Sequence, residues 1–123
     1  MIDAGVVVAM EGLGNTGTDA EGSDKTPLWT IEKFMTRADV ETGKVWNEDE
    51  QITRQQGLRM TTIWGAYYLG DEDTLGSIES GKLADFVVLD GDYMTVPVNE
   101  LSDLKAIMTV IDGKVVYEVP EEF

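Results

Sequence analysis

GSIESGKLADFVVLDGD, residues 76–92, carries the reading of the fold. Ala84 to Leu89 is a short apolar run that predicts a strand, and Asp90-Gly91 stops it with turn chemistry. From Asp71 onward the chain reads as strands and turns. Leu104 to Ile111 and Lys114 to Tyr117 predict two more strands. Between them stands Asp112-Gly113, the dipeptide of a two-residue type I′ hairpin. Asn99 to Asp103 reads as a helical turn.

Upstream the period changes to helical. Thr53-Arg54-Gln55-Gln56 fits a capping box, in which the Thr hydroxyl and the Gln side chain each satisfy a free backbone N–H. It predicts one helix running to Gly70, placed where a left-handed C-cap is expected. Leu58, Thr62, Ala66 and Leu69 form its stripe, with Ile63 and Tyr67 beside it. Thr26-Pro27 starts a shorter helix, with Thr as N-cap and Pro at the first helical position. Leu28, Ile31, Phe34 and Met35 share one of its faces. Residues 38–52 read as a polar surface loop.

Gly5 to Met10 predicts a strand apolar on both faces, as in a parallel sheet covered on both sides. Gly12-Leu13-Gly14-Asn15-Thr16-Gly17 then matches the spacing G-x-G-x-x-G. In a dinucleotide turn the third glycine lies in the first turn of a helix whose N–H groups hold the pyrophosphate. Here the next helix starts about ten residues too late for that contact. Residues 12–25 are instead a long polar loop, of the kind that tends to be functional.

Composition narrows the chemistry. The 24 acids against 9 bases give a formal charge of −15, which repels nucleic acid and anionic membranes. No apolar run approaches a membrane span and no basic-then-apolar leader opens the chain, so the expectation is a cytoplasmic protein. With no cysteine and no histidine, a disulfide framework, a thiolate site, a Ser-His-Asp triad and a histidine zinc helix are all impossible within it. Carboxylate chemistry is what remains. Asp71-Glu72-Asp73 opens like a calcium loop, but Leu75 and Lys82 stand at ligand positions, so it reads as a solvated turn. Trp29, Trp46 and Trp64 could suggest a stacking platform, but Trp29 and Trp64 sit on helices beside apolar residues and read as packing residues.

The chemical candidates are therefore the first loop's acids: Glu11, Asp19, Glu21 and Asp24. A carboxylate at the carboxyl end of a barrel strand is where a metal ligand or general base is placed. The competing reading is a solvated acidic loop, and both stay open.

GSIESGKLADFVVLDGD, followed by VPVNELSDLKAIMTVIDGKVVYE (Val96 to Glu118), resembles the C-terminus of the amidohydrolase superfamily, in the branch of metal-dependent amidohydrolases acting on C–N bonds. QGLRMTTIWGAYYLG, from Gln56, is similar to that branch's last barrel helix. GSDKTPLWTIEKFMTR, from Gly22, is similar to the segment after its final barrel strand. Gly81-Lys82-x-Ala84-Asp85-φ-Val-Val-φ-Asp90 is the specific signature, and glycines 70, 76 and 81 supply the turns into the small β-domain.

The resemblance implies an α/β fold: the terminal strand, loop and helix of a (β/α)₈ TIM barrel, with the C-terminal strands of a small composite β-sandwich. Residues 1–70 are then the partial barrel and 71–123 the partial β-domain. It further implies a hydrolase whose zinc-like divalent metal is held by histidines on earlier strands, with a small-molecule substrate. None of those strands is present, so this chain by itself is expected to hold no cofactor and to be inactive. The family's aspartate at the end of the eighth strand is missing after Met10. Asp24 best fits its local motif, Asp19 follows, and Glu11 best fits the strand end. The other reading is a free-standing binding or oligomerisation module derived from that tail. In either case an apolar strand without neighbours is a template for association. The expected state is a homo-oligomer, most simply a two-fold dimer.

Overall fold

The computed structural model describes residues 1–10 and 26–120. Three strands, β1 (Phe86–Leu89), β2 (Ala106–Ile111) and β3 (Lys114–Glu118), form an antiparallel sheet in the order β1-β2-β3. Asp112 (φ 49°) and Gly113 (φ 71°) both take the left-handed conformation between β2 and β3, as a type I′ turn requires. The Asp85 carboxylate accepts from the Asp112 N–H at 2.7 Å and the Ala84 carbonyl from the Gly113 N–H at 3.1 Å. The hairpin tip is thus tied to the residues leading into β1.

Among the described residues three α-helices precede the sheet. Helix α1 (Pro27–Thr36) begins at Thr26, whose side chain accepts from the Trp29 N–H at 3.2 Å. Helix α2 (Arg54–Thr61) begins at Thr53 with both bonds of the capping box formed. Helix α3 (Ile63–Leu69) ends at Gly70 in the left-handed conformation (φ 78°, ψ 22°). The single helix expected after Thr53 is therefore two, broken at Thr62 (φ −125°, ψ −101°). The cause is local. The hydroxyls of Thr61 and Thr62 both donate to the Leu58 carbonyl, at 3.0 and 2.7 Å, and such back-bonding competes with the helix ladder.

At the break the Met60 carbonyl accepts the Met10 N–H at 3.0 Å. That bond holds residues 6–10, which have no regular secondary structure and do not form the strand expected over Gly5–Met10. A strand needs a neighbour to complete its ladder. The three-stranded sheet takes up no part of this segment.

The core is small. Ile31 of α1, Tyr93 and Leu101 are buried together, with Met10, Leu28, Met35, Leu89, Val96, Val98 and Leu104 against them. Leu101 lies on a 3₁₀ helix, Val98–Asp103, where the sequence predicts a helical turn. Of the stripe expected on α2 and α3 only Ala66 is buried; Leu58, Tyr67 and Leu69 are exposed. Gly57 and Met60 face inward instead. A Cβ on Gly57 would lie 2.6 Å from Ile31 Cγ2, so the missing side chain is what lets α2 close on α1.

Gly57→Ala sets helix propensity, about 1 kcal/mol in its favour, against overpacking of about 1–3 kcal/mol. Overpacking is expected to win. Gly65→Ala in α3, whose Cβ would meet nothing nearer than the Met60 carbonyl at 3.7 Å, gains the propensity alone. Urea denaturation should show Gly57→Ala less stable than the parent and Gly65→Ala more stable.

Candidate functional site

The residues fixed most firmly are charged ones, and each is engaged in holding the chain together. Arg54, at the start of α2, donates through its guanidinium to the Tyr93 carbonyl at 2.5 Å and to the Val96 carbonyl. The Tyr93 hydroxyl returns a bond to the Arg54 carbonyl at 2.8 Å. Burial pushes the Tyr93 hydroxyl above its ordinary pKa, with the Arg54 charge opposing. Bidentate, charge-assisted donation suits arginine, and here it clasps α2 to the turn after β1.

Glu32 is the second pin. It is 5% exposed, with Oε1 at 2.9 Å from Lys33 Nζ and Oε2 accepting the Ser102 N–H at 3.0 Å. Burial pushes its carboxyl up, yet the hydrogen bonds from Lys33 and Ser102 outweigh that and hold it below the usual range. This joins α1 to the 3₁₀ helix across 70 residues of sequence. Reading the sequence placed Glu32 in a helix and missed its partner.

The signature residues form a third knot. Lys82 Nζ donates to the Leu75 carbonyl (3.2 Å) and to Ser77 Oγ (2.7 Å), and pairs with Glu79 Oε2 at 3.2 Å. Ser77 Oγ donates to Glu79 Oε2 at 2.7 Å. The Ser77 hydrogen bond first, and Lys82 second, hold the Glu79 carboxyl below its usual range. With Asp85 bound to the hairpin tip, the polar side chains at 77, 79, 82 and 85 are all engaged in shaping turns.

The predicted site residues Glu11, Asp19 and Asp24 lie outside the described residues, as do Glu21 and the glycines 12, 14 and 17. Their flanks, Met10 and Thr26, both line an open groove of about 1920 Å³ between residues 6–10, α2–α3 and β1. Among the described residues no group of three Asp or Glu could hold a metal ion. Asp71 accepts N–H bonds from Thr74 and Leu75 in a turn. The face of exposed Trp46 is covered by Lys44 Nζ, 3.8 Å from the ring centroid. No helix among the described residues is long and apolar enough to cross a membrane.

Residues 1–117 match the Amidohydrolase family. The chain is 36% identical over 118 residues to N-substituted formamide deformylase of Arthrobacter pascens, covering 96% of this chain and 20% of that protein. It is 34% identical over 118 residues to imidazolonepropionase of Bacteroides fragilis, covering 95% and 24%. Among solved structures, an amidohydrolase from Thermotoga maritima MSB8 aligns at 24% identity with a TM-score of 0.49, over 95% of this chain and 33% of that one. The chain belongs to the amidohydrolase family. It spans only about a fifth to a quarter of the length of these two curated relatives.

Glu32 makes stability depend on pH. Its folded pKa lies below its unfolded value, so its contribution is full above the unfolded value and is lost as pH falls through the folded one. Glu32→Gln should cost about 1–3 kcal/mol at pH 7, where a charged acceptor is lost. It should also lose less stability than the parent as pH falls below the ordinary glutamate value of 4.5. Parallel urea titrations at neutral and acid pH measure both effects.

Proposed function

We propose that this chain supplies the C-terminal scaffold of a hydrolase acting on C–N bonds in a small amide or cyclic amide, and is inactive without further polypeptide. One observation carries this reading: the family match runs over residues 1–117 in a chain with no histidine. In this reading residues 1–70 belong to the end of a (β/α)₈ barrel and 71–123 to a small composite β-domain. The apolar segment 6–10 and the antiparallel sheet β1-β2-β3 support that division. The relatives' printed names, a deformylase and an imidazolonepropionase, are consistent with attack by water at a carbon bound to nitrogen.

Members of the family generally use a divalent metal. The described residues do not fit one: there is no imidazole or thiolate, the buried carboxylate of Glu32 is filled by Lys33 and Ser102, and Glu72 Oε2, buried without a partner, does not belong to any group of three carboxylates that could hold a metal. No step is therefore routed through a metal here. Asp24, Asp19 and Glu11 stay the candidates for a carboxylate that would serve as base or metal ligand once the rest of a barrel is supplied. The second reading, a module that binds or oligomerises without catalysis, is favoured by the open apolar groove.

The purified chain, assayed with an N-substituted formamide and a cyclic amide in the presence of zinc or manganese, should show no turnover above buffer. Calorimetry should find no tight stoichiometric metal site. Metal-dependent turnover, or a single tight site, would overturn the scaffold reading.

A further inference from the structure

The pins and the signature leave a groove of about 1920 Å³ unexplained. Several apolar side chains that line it stand exposed. Val7 and Val87 are about half exposed, Tyr68 is 80% exposed and Ile78 86%.

Charge says which face can approach another molecule. The chain carries −15, yet among the described residues the charged side chains lining the groove are one acid, Asp85, and one base, Lys105. Two acidic copies repel nearly everywhere except at such a neutral face. Backbone valence says what fits. Among the described residues strand β1 has a neighbour on one side only, and Val6 to Ala9 make no backbone hydrogen bond. The β1 edge and the strand-forming segment Val6–Ala9 border the same groove, and each lacks what the other offers.

We propose that a second copy of this chain seats in the groove about a two-fold axis, residues 6–10 of each copy adding as a strand to the free edge of β1 in the other. A two-fold closes the assembly, because each copy gives one segment and one edge. Opposite charges at Asp85 and Lys105 let the two copies face each other there without net repulsion. The inference goes beyond the family reading and does not depend on it.

Light scattering of the full chain at micromolar concentration should give a particle of about 27 kDa, twice the 13.5 kDa chain. Val87→Lys and Tyr68→Glu, both at exposed positions, should weaken the dimer at least about tenfold with unchanged circular dichroism. Val40→Glu, at an exposed position outside the groove, should leave it intact. Because the chain has no cysteine, mixing Val7→Cys with Val87→Cys should produce a disulfide-linked pair in excess of either variant alone. A monomeric parent chain overturns the proposal and assigns the groove to a different polypeptide. A dimer insensitive to both charge variants, without the 7–87 cross-link, overturns it equally, as does open-ended growth beyond two copies.

Discussion

The reciprocal contact between Arg54 and Tyr93 is the joint on which the arrangement depends. Tyr93 is buried against Ile31 and Leu101, and its two backbone-directed bonds to Arg54 fix where the chain after β1 meets the N-terminus of α2. With Gly57 admitting Ile31 from the other side, the helices and the sheet share one small core. Among the described residues six hydrophobic side chains are buried, and of these only Ile31 and Leu101 fully, too few to position the two halves by packing alone. Directional polar bonds supply the rest.

What the sequence disclosed follows the range of each interaction. Thr26 with Pro27, Thr53 with Gln56, Gly70, and Asp112 with Gly113 act within a few residues, and all stand as read. Residues 6–10 have the composition of a strand, but a strand is a relation between two segments, and this one lacks its neighbour. Thr61 and Thr62 broke a helix that periodicity carried through, because hydroxyl back-bonding leaves no trace in an apolar pattern. Glu32 with Ser102 and Arg54 with Tyr93 join residues 70 and 39 positions apart, so neither pair was legible. The family was legible from Gly81 to Asp90. The loop acids Glu11, Asp19 and Asp24 lie outside the described residues, and their standing is unchanged.

The signature now has a physical meaning for this chain. Lys82 gathers the Leu75 carbonyl, Ser77 and Glu79 into one turn, and Asp85 holds the hairpin tip. These groups shape the path between helix and sheet, so membership of the family is written here in structural residues. The chemistry of the relatives has no counterpart among the described side chains.

The most direct test of the clasp uses the placement of the chromophores. Trp29, Trp46 and Trp64 all precede the sheet, so tryptophan fluorescence follows the helical half, while amide signals of β2 follow the sheet. In the parent chain the two urea transitions should coincide, as for one cooperative unit. In Arg54→Ala they should separate, with the sheet and the helices losing structure at different midpoints. Coincident transitions in Arg54→Ala would contradict the account, and would show that packing around Ile31 and Leu101 alone joins the two halves.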